Sequence, residues 1–142
     1  MTRAHDPHDL QRFIDAQRTI YAQVCDELQN GEKETHWMWF IFPQIKGLGI
    51  SPTAHKYAIQ GVDEAKAYLD HPLLGMRLRE CSRLVNAVNG RSIEAIFGHP
   101  DHLKFHSSMT LFAHVDSSGG LFAAALTKYF KGEVDRRTIE KL

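Results

Sequence analysis

Leu10, Phe13, Ile14, Tyr21, Val24 and Leu28 recur at the spacing of one helix face. A stripe with this period buries one side of a helix and cannot serve a strand, whose faces alternate every second residue. It begins behind Asp6, a capping residue type, and Pro7, which suits a first helical turn, and it stops at Asn30-Gly31. The same grammar runs on. Ser51-Pro52 opens a helix to about Gln60, and Val62 or Asp63 opens another through Leu69. Asp70-His71-Pro72 is a break, because the residue before a proline is pushed out of α geometry. Leu73 to Asn89 is a long helix closed by a second Asn-Gly, and Ser92 caps a short one over "IEAIFG". Pro100 opens a helix through Val115. "DSSGG" turns the chain, Leu121 to Lys131 is helical with Gly132 as its stop, and Asp135 caps a final turn. No period-two alternation is sustained and no repeat occurs. The expectation is an all-α, single compact multihelical domain spanning residues 1–142, with about seven helices. At 142 residues the chain is long enough for one core and too short for two comfortable ones.

Charge narrows the function classes. Seventeen basic and seventeen acidic side chains cancel, so no strong attraction to nucleic acid or an anionic membrane is expected. The N-terminal "MTRAHDPHDLQRF" has no apolar core of a signal peptide. The longest apolar run, Trp37 to Phe42, falls far short of the roughly 18 residues a spanning helix needs. Cys25 and Cys81 have no CxxC or Cys/His framework and read as reduced thiols of a cytoplasmic protein. His99, His102 and His106 have helical spacing, but HExxH is absent. Neither a metal site nor a cofactor is expected.

Three features are candidates for function, and each has a plain structural reading beside it. The chain's two tryptophans, Trp37 and Trp39, lie in "HWMWFIFPQ" with His36 and Gln44. Either they plug the core, with their indole N–H groups satisfied by neighbours, or they wall a site for an aromatic or sugar ligand. The stretch reads as a short buried helix ended by Pro43. Next, "KGLGISP" leads a glycine loop into a capped helix start. Lys46, Gly47, Gly49 and Ser51 could hold an anion there, or the segment is an ordinary loop and cap. Finally, polar residues interrupt apolar stripes. Gln17 falls on the buried side of the first helix. Lys104 and Ser108 share a face with Asp101, Phe105, Phe112 and Val115, while His106, Thr110 and His114 look out. An inward ammonium must find a carboxylate, several acceptors or a ligand. Pairing with Asp101 is the structural answer for Lys104, and back-bonding to a carbonyl one turn earlier is the one for Ser108.

"RFIDAQ", "HWMWFIFPQIKGLGIS", "AYLDHPLLGMRLREC", "IFGHPDHLKFHSSMTLF" and "YFKGEVD" together resemble the DUF1810 family, small and mostly bacterial proteins of unknown function. The resemblance covers the chain from about Asp9 to Leu142 and implies a mainly helical fold. Some relatives carry the label calpastatin, but inhibitors of that type are long, disordered and repetitive, whereas this chain is short and patterned for a core. A second likeness is to the NADAR proteins, which are linked to N-glycosidic chemistry on ribosylated compounds. It rests on an early "AQ", an "SP…A" helix start and a lysine-bearing apolar helix.

The family motifs coincide with Gln17, His36, Gln44, Lys104 and Ser108. The leading expectation is therefore a pocket for a small anionic or nucleotide- or ribose-like ligand, with hydrolysis as its stronger form. Trp37 or Trp39 would be the wall, Lys46 and the Gly47–Gly49 loop the anion cradle, and His36 or Asp101 the general acid or base. The alternative is a protein-interaction or regulatory module in which these residues only build the core.

Overall fold

A computed structural model describes residues 5–118 and 120–142. The first four residues of the N-terminus and Gly119 of the expected 116–120 turn lie outside them. Among the described residues ten helices follow in order: α1 (Gln11–Gln17), α2 (Tyr21–Gln29), α3 (Met38–Ile41), α4 (Pro52–Tyr57), α5 (Val62–Asp70), α6 (Pro72–Ala87), α7 (Ile93–Phe97), α8 (Asp101–Val115), α9 (Leu121–Phe130) and α10 (Arg136–Glu140). Among the described residues there is no strand, only one parallel bridge between Ile45 and Ile59. No helix there is long and apolar enough to cross a membrane.

The all-α expectation stands, and its count of about seven is corrected to ten. The short buried helix over Met38–Ile41 and the final turn over Arg136–Glu140 account for two of the three added helices, and the first stripe for the third. Arg18 and Ile20 bond back three residues, to the carbonyls of Asp15 and Gln17, and such tight turns interrupt the α ladder. The stripe is thus shared by α1 and α2. Asp6 does act at the start, its carboxylate accepting from the Leu10 and Gln11 amides. Asn30-Gly31 ends α2 as read. Gly31 takes φ +71°, its N–H reaches Leu28 O, and Glu32 N–H reaches Glu27 O, the paired bonds of a Schellman stop.

α8 runs through the middle and packs on α5, α7, α9 and α10, while α6 packs on α2, α5 and α9. Phe13, Trp37, Phe42, Tyr68, Phe105, Phe112 and Phe122 are fully buried in one continuous core. Phe105 meets Phe42 edge-on at 5.0 Å and stacks on Phe97 at 4.9 Å. Tyr68 joins Phe13 at 5.0 Å and Phe112 at 5.5 Å. Such offset and edge contacts add to what burial alone gives. One orientation differs from the sequence reading: Thr110 is buried, not outward. Its hydroxyl accepts from the Asp135 amide, and the Asp135 carboxylate accepts from the Ser107 hydroxyl. The segment leading into α10 therefore covers what periodicity left as the solvent side of α8.

Candidate functional site

The site is built outward from Glu27. This acid sits in the buried stripe of α2 and folds the 32–37 segment around itself. Its carboxylate accepts from the Glu34 amide (2.7 Å), the Thr35 amide (3.0 Å) and hydroxyl (2.6 Å), the Trp37 indole (2.9 Å) and the Gln23 amide group (3.1 Å). Burial pushes its pKa up, but the Thr35 hydroxyl, the two backbone amides and the indole outweigh burial and draw it down to about 2. Trp37 is thereby locked into the core with none of its surface exposed. Trp39, on the opposite side of the one-turn α3, is only half-buried.

After α3 the chain makes a closed loop. Ile59 N–H bonds Gln44 O and Lys46 N–H bonds Ile59 O, both at 2.8 Å, so residues 45 to 59 form a loop pinned at its neck. Between its arms lies a cleft lined by Trp39, Gln44, Gly47, Gly49, His55 and Tyr57 among others. Its accessible volume is about 10 Å³, room for one water, and about 290 Å³ is reached only by counting the open solvent at its mouth. The two glycines have distinct local reasons. Gly47 takes φ +98°, and a β-carbon on Gly49 would lie 2.6 Å from that of Ala54. The backbone amides of Gly47, Leu48 and Gly49 donate to no acceptor among the described residues. A β-carbon on Gly47 would sit 3.3 Å from Lys141 Nζ, and Arg137 donates to Leu48 O. Cations from the C-terminal segment therefore border the loop.

The second half of the site is a trio. Asp101 Oδ1 pairs with Lys104 Nζ at 3.1 Å, and Asp101 Oδ2 pairs with Lys33 Nζ at 2.8 Å. Lys33 is 7% exposed and also donates to Thr35 O. Each ammonium faces an indole: Lys33 lies 5.0 Å from the Trp37 ring and Lys104 lies 4.9 Å from the Trp39 ring. Burial pushes the Asp101 carboxyl up, but Lys33 and then Lys104 more than offset it and hold it below its usual value. Asp101 is thus a fixed negative charge. Two ammonium groups against one carboxylate leave the trio with one net positive charge.

The structure brings Trp39, Gln44, Gly47 and Gly49 to one cleft, with Lys104 and Asp101 adjoining it through the Trp39 ring. Lys46 is exposed on the loop and His36 is exposed just before α3. Gln17, Trp37 and Ser108 do not line the cleft. Gln17 is buried, donating to Phe40 O (2.7 Å) and the Tyr68 hydroxyl (3.2 Å) while Arg77 donates to its carbonyl (3.3 Å). Ser108 is buried with its hydroxyl unpartnered. Ser51 is occupied in capping Ala54 N–H at 3.1 Å, so the six-residue α4 offers no free terminus of the kind expected for an anion. Lys33, Lys141 and Glu27 were missed. Glu27 had a signal, an acid between Val24 and Leu28 on a buried stripe. Lys33 had none, because it lies in an irregular segment where no period assigns a face.

The molecule is therefore an all-α protein with a small cation-bordered cleft at the rim of its core. The chain matches, over residues 7–142, the family described as Protein of unknown function (DUF1810), and it belongs to that family. It is also similar to the crystal structure of the conserved hypothetical protein Rv1873 from Mycobacterium tuberculosis. The two share 56% identity and a TM-score of 0.95 over 96% of this chain and 98% of the other. No curated protein matches it.

Proposed function

We propose that the cleft binds a small anionic ligand of the nucleotide or sugar-phosphate class. The observation that carries this reading is the shared carboxylate. Asp101 serves two lysines, so Lys104 is left with surplus positive charge against the ring that walls the cleft. The unengaged amides of the Gly47–Gly49 loop add donors of the kind that cradle phosphate oxygens. The cleft itself is shallow, with about 10 Å³ of accessible volume, far below the about 300–1,000 Å³ usual for small-molecule sites. The ligand therefore rests on the rim, with its anionic group at the Gly47–Gly49 loop and any base lying across Trp39. Asp101 has both oxygens engaged and is ionised near neutral pH, so it positions Lys104 and does not supply a proton. The reading is accordingly one of binding.

Calorimetric titration of ribose 5-phosphate, AMP and ADP-ribose tests it. At least one should bind saturably. Lys104→Met should weaken that ligand about 10- to 100-fold, the worth of a charge-assisted hydrogen bond. The variant should stay folded, since Asp101 keeps Lys33. No heat with any of the three, or equal affinity in the variant, overturns the proposal.

A further inference from the structure

The C-terminal helix α10 is anchored where it reaches the glycine loop. Thr138 is fully buried, and its hydroxyl donates to Asp135 Oδ2 at 2.6 Å. The Ser107 hydroxyl donates to that same oxygen at 2.8 Å, and the Asp135 amide donates to the Thr110 hydroxyl at 2.9 Å. Ser107 and Thr110 belong to α8, the helix that also carries Asp101 and Lys104. One element therefore positions the lysine–aspartate trio and holds α10 in place.

Arg137 and Lys141 stand one helical turn apart and meet the loop together. Arg137 donates to Leu48 O at 3.3 Å. The end of the Lys141 side chain lies side-on across Gly47. Its Cδ, Cε and Nζ are 3.5, 3.2 and 3.3 Å from the place a Gly47 β-carbon would take. The two cations differ in what they do. Arg137 has an acceptor and so a structural task. The Lys141 stem covers the glycine, as long side chains do, but its ammonium has no carboxylate and no other acceptor among the described residues. The same holds for the ammonium of Lys46, exposed one residue before Gly47. Uncompensated charge thus stands at the Gly47 side of the cleft, separate from the surplus charge of Lys104 at the Trp39 ring.

We infer, resting on the reading of the cleft as an anion site, that its ligand carries two phosphates and that Lys141 selects for the second. Like charges gathered at one rim repel in the empty protein, and each phosphate that arrives relieves part of that repulsion. A monophosphate has charge for the loop amides and the Lys104 side alone. A diphosphate has charge for both sides. Its inner phosphate lies against the Gly47–Gly49 amides, and its outer phosphate extends past Gly47 onto the Lys141 ammonium. The ligand class is accordingly that of a nucleoside diphosphate, with the base across Trp39.

Calorimetric titrations of AMP and ADP at pH 7 and equal ionic strength, on the full chain and on Lys141→Met and Lys141→Arg, test this. ADP should bind the wild type at least about 10-fold tighter than AMP, the worth of one added charge-assisted hydrogen bond. Lys141→Met should weaken ADP about 10-fold and AMP less than about 3-fold, because only ADP loses a charge-assisted contact. Lys141→Arg should keep the preference, and both variants should melt with the wild type, since the side chain is exposed. ADP binding no tighter than AMP, a preference for ADP that survives Lys141→Met, or an equal loss of both ligands in that variant would each overturn the inference and leave the anion cleft standing. No heat with ribose 5-phosphate, AMP or ADP in the wild type would overturn the cleft itself, and the inference with it.

Discussion

Glu27 is a buried acid whose five partners are neutral donors. Its carboxyl is drawn from the ordinary 4.5 down to about 2. A folded value below the unfolded one means stability that is fully present above about pH 4.5 and lost as pH falls toward 2. At about 1.4 kcal/mol per unit the loss is roughly 3 kcal/mol. Urea midpoints measured from pH 7 to pH 3 should fall in that window, and Glu27→Gln should flatten the fall. The glutamine variant should also cost about 1–3 kcal/mol at neutral pH, because its amide N–H₂ faces donors. The Lys33–Asp101–Lys104 trio makes a second prediction. Either lysine changed to Met leaves Asp101 a partner, whereas both changes strand a partly buried carboxylate. The double variant should therefore be less stable than the sum of the singles by about 0.5–3 kcal/mol in a double-mutant cycle. Simple additivity would show that Asp101 is not shared.

At the scale of elements, the sharp corner between α5 and α6 is the most demanding local structure. His71 ends α5 and caps α6, its Nδ1 accepting from the Leu73 and Leu74 amides at 3.1 and 3.2 Å. Pro72 takes the first helical position, where its missing N–H costs nothing. Gly75 lets the helices meet: a β-carbon there would lie 2.0 Å from Leu69 O, a backbone atom that no side-chain rotation can move. Gly75→Ala should cost at least about 1–3 kcal/mol despite its better helix propensity, read as a lowered unfolding midpoint. A neutral or stabilising result would mean the corner is looser than described. Helix ends were legible wherever a breaker marked them, as at Asn30-Gly31, Asp70-His71-Pro72 and Ser92. The α1–α2 break was not. The stripe keeps its period through Arg18–Ile20, so nothing local announces the tight turn, and it is stabilised by Gln17 reaching distant groups at Phe40 and Tyr68. The burial of Thr110 escaped for the same kind of reason, since periodicity on α8 cannot foresee which face α10 will cover.

For the molecule as a whole, the residues that sequence reasoning singled out fall into separate layers. The aromatic window, the glycine loop and Lys104 do converge at one rim of the core. Alternation within "HWMWF" could not tell which indole faces in, because a one-turn helix has too few residues to define a face. The separation came from Glu27, which claims the Trp37 indole and leaves Trp39 at the surface. That division gives the central claim its most direct measurement. The chain contains two tryptophans, so ¹⁵N-tryptophan labelling yields two indole N–H signals, assigned by Trp39→Phe. Titration with the ligand selected by calorimetry, or with ADP-ribose, should shift the Trp39 signal saturably and leave the Trp37 signal nearly still. Two unmoved signals, or a shift of Trp37 alone, would contradict an anion cleft walled by Trp39.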